Sequence, residues 1–313
     1  MSSMESVWND GVITIALLSG LGAGIVAILA TVAIERLGGH LGGVIGTLPT
    51  TIIPASLGLW QQSMTSGEVM VDAHQTLERF EATMYAVPAG MCLNALFLWL
   101  WRALPQHISM IKTINEEASE NSRSGLWGAV ALMSIISLGL WLVGALLLVS
   151  LSREYLTSSA MRFNAGVLST ILILLLGAWA TLSHHDAPRG KRAVSLTTLG
   201  LRGLCASIAV AAAVLISKTG AATTAGVAAV FPAIFWTTMA SLWLSQGRAV
   251  PAGAVGPMMI GSSSVALFAL SAPYLYVHFG VGLGSLSAWF FAAIGASVPS
   301  YLWVKRAQRQ SVT

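Results

Sequence analysis

The sequence predicts an all-α polytopic membrane protein of about nine transmembrane helices, arranged as a 4+1+4 inverted-topology repeat. Three observations carry that expectation: the scarcity of charge, the spacing of the charges that remain, and a self-match between the two halves of the chain. Of 313 residues, 55% are hydrophobic and 9% are Asp, Glu, Lys or Arg, with a mean hydropathy of +0.76. Soluble domains carry roughly a quarter charged residues. So few charges cannot cover a water-facing surface, and the lipid bilayer is the expected partner of most of the chain.

A helix needs about 20 mostly apolar residues to cross the hydrocarbon core, and the gaps between charges give nine such runs. The first is Gly11 to Ile34, behind an acidic start (Glu5, Asp10) that lacks the positive n-region of a cleaved signal peptide. The second runs from about Leu41 to Ser63, the third from Ala82 to Trp101, the fourth from Gly125 to Leu151 and the fifth from Phe163 to Ser183. The sixth, about Val194 to Ser217, contains Arg202, which is expected to snorkel to the nearby interface. The seventh covers about Thr223 to Ser245. No charge occurs between Arg248 and Lys305, and two spans, about Ala252 to Tyr274 and Val281 to Val304, fit there with a break near Pro273 to Gly284.

Nine spans put the termini on opposite sides. Twelve basic residues then fall on one side and only Arg79, Arg153, Arg162 and Lys218 on the other, so the positive-inside rule orients the chain with its N-terminus outside and its C-terminus cytoplasmic, in the plasma (inner) membrane. Trp99, Trp101, Trp127, Trp179, Trp243 and Trp303 lie near the inner span ends and read as interfacial anchors.

The self-match lies at an offset of 183 residues, with ten identities in 41 ungapped positions. Its weight rests on Gly20 with Gly203, Gly43 with Gly226, Pro49 with Pro232 and Trp60 with Trp243, because shared Ala, Leu and Val arise in any two apolar helices. After a gap it resumes at Ala95-Leu96-Phe97 and Ala266-Leu267-Phe268. The chain divides accordingly into a first four-helix repeat (1–152), a linker helix with a cytoplasmic loop (153–192) and a second four-helix repeat (193–313). Matching spans are an odd number apart, so each pair crosses the membrane in opposite directions, the plan of many alternating-access transporters.

The densest anomaly is the Gly- and Pro-rich run from Glu35 to Thr51, followed by Pro54. Such backbone persists in hydrocarbon only where it is buried in protein or lines a polar cavity. It reads either as an interrupted segment that binds a ligand or as a small-residue packing seam through Gly38, Gly42 and Gly46. Residues 47, 50, 51, 54 and 58 would share one helical face, and Ala233, Thr237, Ser241 and Ser245 another, placing small hydroxyls across a pseudo-symmetric core. The candidate substrate-binding residues are Thr47, Pro49, Thr50, Thr51, Asn94, Pro232, Thr237 and Thr238, with Glu35 and Lys218 as candidate gating or coupling residues.

Cys92 and Cys205 sit in apolar runs and read as packing residues. His184-His185-Asp186 is too small a group to predict a metal site, and no cofactor is expected. No basic stretch suggests nucleic acid beyond Arg189, Lys191 and Arg192. No Walker, GxSxG, HExxH or CxxC pattern occurs, and no acid, base and nucleophile converge in a span, so enzyme chemistry is not expected. The expected function is secondary transport of a small molecule or ion by alternating access. A non-transporting scaffold or subunit of a larger membrane complex is the alternative, and assembly into a homo-oligomer stays open.

Overall fold

The computed structural model describes residues 10–37, 48–64, 73–107, 123–183 and 195–310, and all regular structure among them is helical. In chain order the helices are α1 (Asp10–Leu37), α2 (Ile52–Met64), α3 (Ala73–Met84), α4 (Val87–Ala103), α5 (Arg123–Tyr155), α6 (Ser159–Leu182), α7 (Leu196–Lys218), α8 (Ala222–Ala229), α9 (Ala233–Gln246), α10 (Ala249–Ala292) and α11 (Val298–Gln310). Among the described residues seven helical stretches are long and apolar enough to cross a membrane, so the chain is a multi-pass integral membrane protein. The last of them, Val250–Arg306, is 57 residues long. Straight, it would reach about 85 Å, far beyond the roughly 30 Å of a hydrocarbon core.

It folds back instead. Gly280 (φ 70°, ψ 169°) leaves helical geometry inside α10, and a Cβ built on Gly284 would lie 2.7 Å from the Leu275 carbonyl oxygen. Farther along, Gly295 approaches Leu267, so 281–292 runs antiparallel to 249–279. The helix passes through Pro273 without ending there. The turn falls at Gly280 because a left-handed φ suits glycine, whereas a proline in a membrane helix costs one hydrogen bond that its surroundings can replace. A short π-helical stretch, Ala293–Ser297, then leads into α11.

Lipid exposure inverts the usual size pattern. On α1 the outward positions include Leu17, Leu18, Leu21, Ile25 and Leu29, while Ala16, Ala23 and Ala27 face inward and are nearly inaccessible. α5 and α6 likewise turn Leu and Ile outward, a continuous apolar surface that water would not tolerate. Small inward residues let backbones approach, which replaces the hydrophobic drive missing in lipid.

Among the described residues the most extensive helix pairing is between α1 and α7. A Cβ on Gly20 would meet the Ser207 carbonyl oxygen at 2.6 Å, and one on Gly24 the Gly203 carbonyl oxygen at 2.7 Å. Farther along α1, Arg202 bonds Thr31. Rising numbers on one helix meet falling numbers on the other, so the pair is antiparallel.

Two sequence expectations change here. Trp101 and Trp243 are 2% and 1% exposed and pack edge-to-face, with ring centroids 5.8 Å apart, so they are core residues rather than interfacial anchors. Trp127 and Trp179 are exposed. The helix expected from Ala82 begins at Ala73 and is interrupted at Tyr85 and Ala86, beside Gly226, where a Cβ would fall 3.1 Å from that of Ala86.

Candidate functional site

Two helices, α2 and α9, are preceded by prolines that lie 183 positions apart, Pro49 three residues and Pro232 one residue before the helix. Before α2 the Thr50 amide donates to the Leu48 carbonyl at 2.9 Å, spanning Pro49; before α9 the Ala233 amide donates to the Phe231 carbonyl at 2.7 Å, spanning Pro232 (φ −73°, ψ 35°). A bond closed across one residue, with φ fixed by a pyrrolidine ring, is close to an inverse γ-turn. Because each proline lacks an amide donor, the preceding turn cannot run on into the next helix. α8 accordingly ends at Ala229, and α9 starts four residues later.

Both turns face one cavity of about 650 Å³. Its wall comes from Leu48 to Ile52, the C-terminal half of α1, the N-terminal half of α7, residues 229–242, the first half of α10, and Met91 and Asn94 of α4. Most of that wall is Ala, Val, Ile, Leu, Met and Phe, with hydroxyls from Thr and Ser.

Of the residues singled out from sequence, Thr50, Thr51, Asn94, Pro232 and Thr238 line this cavity. Pro49 is buried between two lining residues. Thr237 is turned away: it is 9% exposed and its hydroxyl donates to the Ala233 carbonyl of its own helix at 2.8 Å. Thr47, the side chain of Glu35, Gly38, Gly42, Gly43, Gly46 and the His184-His185-Asp186 group lie outside the described residues. Lys218 ends α7, at the opposite end from the residues of that helix that line the cavity. The shared face drawn through positions 47 to 58 does not form, because Thr50 and Thr51 precede α2 and Gly58 lies deeper in that helix. Among the described residues no cluster of His, Cys, Asp or Glu could hold a metal.

Asn94 is committed on both sides of its amide. Its Nδ2 donates to the Val230 carbonyl at 2.7 Å, and its Oδ1 accepts from Trp141 Nε1 at 2.8 Å. It braces the break before Pro232, and Trp141 adds an edge-on contact to Phe231 at 5.3 Å.

The largest departure from the sequence reading is Arg202. It does not snorkel: only 7% of it is exposed, and it lies on the cavity wall. Its guanidinium donates to Thr31 Oγ1 at 2.7 Å and to Thr238 Oγ1 at 2.9 Å, joining α7 to α1 and α9. Thr238 in turn donates to the Ile234 carbonyl at 2.6 Å, which fixes its lone pairs toward the arginine. The signal was present in the sequence: a cation inside an apolar run marks a functional position by default. Thr31, Ser262 and Ser264 also line the wall and were not singled out; such hydroxyls carry no distinguishing pattern, since most bond their own preceding turn.

The opposite end of the same helices is closed. Gly58 packs against Ser19 and Val214, where an added Cβ would lie within the Ser19 side chain and 2.8 Å from Val214 Cγ2. Beside them Tyr276, 2% exposed, shares its hydroxyl with Ser56 (2.8 Å) and Ser285 (2.6 Å) and stacks on Phe80, with Trp60 edge-on to both rings. Comparison with family models, curated proteins and solved structures finds no match for this chain.

Proposed function

We propose that the chain is a secondary transporter that carries a small solute by alternating access, built as nine spans in a 4+1+4 inverted-topology repeat. In this reading the second span is the interrupted segment that continues as α2, the seventh is α8 with α9, and the eighth and ninth are the two arms joined at Gly280. The N-terminus is outside the plasma (inner) membrane and the C-terminus cytoplasmic, so the cavity belongs to the cytoplasmic half.

One observation carries the reading: turns of the same kind at Pro49 and Pro232 face a single cavity at one end of α1 and α7, while the other end of the same helices is tightly packed. Interrupted helices at a repeat interface are the usual substrate-site architecture of such transporters. The α1–α7 contact supports the repeat further. Offset by 183, Gly20 corresponds to Gly203 and Gly24 to Ser207, and the contacts are reciprocal: Gly20 meets Ser207 and Gly24 meets Gly203. Self-complementary contact of that kind is what a two-fold axis produces.

The same offset links the two ends. Thr31, Arg202, Thr238 and Ser241 on the cavity side correspond to Val214, Ser19, Ala55 and Gly58, which are packed at the other end. Two related bundles that exchange these conformations would open the packed end and close the end that holds the cavity.

Leu242 lines the cavity and its counterpart Leu59 is 1% exposed, so they make a matched pair of reporters. With Cys92 and Cys205 replaced by Ala, Leu242→Cys should react with an impermeant maleimide from the cytoplasmic side, and Leu59→Cys more slowly from the outside. Blocking one should protect the other. A Leu59→Cys that never reacts in folded protein, with Leu242→Cys always reactive, would favour a static scaffold and sink the transport reading.

A further inference from the structure

We propose that the solute is an uncharged, mostly apolar molecule that binds through a hydrogen-bond donor of its own, an N–H or an O–H. This rests on the cavity being the binding site of the transport reading above.

The polar side chains of the wall have largely spent their protons inside the protein. Thr31 donates to the Ala27 carbonyl at 2.8 Å and Thr238 to that of Ile234 at 2.6 Å, and both accept from Arg202. Arg202 is thereby a clamp between three helices, with each terminal nitrogen bonded to a threonine. Ser241, Ser262 and Ser264 donate to the Thr238, Met259 and Gly261 carbonyls at 3.1, 2.7 and 2.8 Å. Asn94 spends its amide nitrogen on the Val230 carbonyl and the Met91 sulfur.

The two helix breaks are short of donors as well. Pro49 and Pro232 have no amide hydrogen, and the amides next in line, of Thr50 and Ala233, are turned back onto the Leu48 and Phe231 carbonyls. An anion brought here would leave its hydration shell for a wall with little to replace it. A cation fares no better, because no Asp or Glu is among the described residues that line the cavity.

What the wall keeps is acceptor capacity. A hydroxyl has two lone pairs beside its one proton, so Ser241 of α9 and Ser262 of α10 can accept from a ligand while they donate to their own helices. A solute N–H or O–H meets that surplus without bringing charge. Thr50 and Thr51 are the remaining wall hydroxyls, and a solute O–H can accept from them too. Met91, Val210, Phe235 and Met258 offer contact to an apolar body, and a volume of about 650 Å³ lies within the range of small-molecule sites.

The test is a thermal-shift series on the purified full-length chain at pH 7, since a ligand that binds only the folded state raises the melting temperature with its occupancy. Benzyl alcohol, benzoate and benzylamine compare one shape as neutral molecule, anion and cation. Indole and benzofuran compare one bicyclic shape as donor and as acceptor. Benzyl alcohol and indole should raise the melting temperature, and benzoate and benzylamine should not. Benzofuran should need roughly fivefold more ligand than indole for the same shift, the worth of one typical hydrogen bond.

Two kinds of variant tie these responses to the wall. The double variant Ser241→Ala, Ser262→Ala removes the acceptors and should erase the preference for indole over benzofuran while both still bind. Apolar probes also dissolve in detergent, so Ala30→Phe on α1 and Ala254→Phe on α10 each fill the cavity from a different side and should abolish every response.

The proposal is overturned by benzoate or benzylamine stabilising as well as benzyl alcohol, by benzofuran matching indole, or by no probe giving a response. It is equally overturned by responses that persist in the filled variants, or by a preference for indole that survives loss of both serines. The transport reading fails separately: neutral-donor selectivity without exchange of accessibility between Leu59→Cys and Leu242→Cys removes transport and leaves the pocket. Exchange without that selectivity removes only the present inference.

Discussion

Asn94 of α4 holds the Val230 carbonyl at 2.7 Å while accepting from Trp141 of α5 at 2.8 Å, so one amide ties the interruption before α9 to two neighbouring helices. The residue is 2% exposed. Replacing it with Leu would strand a buried indole N–H and a buried carbonyl, each a desolvation cost of about 1–3 kcal/mol. Asn94→Leu should therefore unfold at clearly lower temperature than wild type. Trp141→Phe in the same background should cost less than it does alone, because the lost bond is shared. Strictly additive melting shifts in that double-mutant cycle would show that the two side chains are not coupled.

Thr50 and Thr51 line the cavity at the break before α2, and Val has nearly their shape without the hydroxyl. The double variant Thr50→Val, Thr51→Val should express and melt close to wild type, since neither side chain is fully buried. Solute uptake into proteoliposomes, or the stabilisation by any ligand found in a thermal-shift screen, should fall. Unchanged activity at equal protein level would remove these hydroxyls from the site.

What the sequence made legible follows from how local the cause is. Pro49 and Pro232 could be read as breaks because a proline removes a donor wherever it sits. The turn at Gly280 could not be separated from Pro273, since a membrane helix tolerates a proline if its freed carbonyl finds a partner, and that depends on neighbours. Thr238 and Thr237 are adjacent in sequence, yet one faces the cavity and the other its own backbone; only the orientation of α9 decides between them. Arg202 was misjudged for a similar reason. A cation about 9 Å along α7 from its first residue can reach an interface if its side chain points outward, and its direction is set by Thr31 and Thr238, which are 171 and 36 positions away.

The α1–α7 seam gives a test that needs no ligand. Gly24→Ala would push a methyl group to 2.7 Å from the Gly203 carbonyl oxygen, on a backbone that cannot give way cheaply. Overpacking of this kind costs about 1–3 kcal/mol. Gly139 of α5, by contrast, has nothing within 4 Å of an added Cβ. Gly139→Ala should be neutral or stabilise the helix by about 0.5–1 kcal/mol. Thermal unfolding in detergent separates the two, and a Gly24→Ala protein as stable as Gly139→Ala would mean that the helices are not in close contact in the membrane.

A wedge at Gly58 distinguishes a mobile closure from a merely packed end. Gly58 sits against the side chains of Ser19 and Val214, and a larger side chain must displace them or the helices that carry them. If that closure exists in only one of two conformations, Gly58→Val destabilises it selectively and shifts the population toward the state in which the same end is open. A differential cost of about 1.4 kcal/mol changes the ratio of the two states tenfold. In the Gly58→Val background Leu59→Cys should then react faster with an impermeant maleimide, and Leu242→Cys more slowly, because the opposite end closes as this one opens. A static bundle responds differently: Gly58→Val would lower the melting temperature and speed reaction at Leu59→Cys, but leave Leu242→Cys as reactive as before. The decisive reading is therefore the rate at Leu242→Cys, a residue that lines the cavity. It corresponds to Leu59, which adjoins the wedge in sequence, at an offset of 183 positions. A slower rate there, paired with a faster one at Leu59→Cys, is the signature of coupled motion of the two ends.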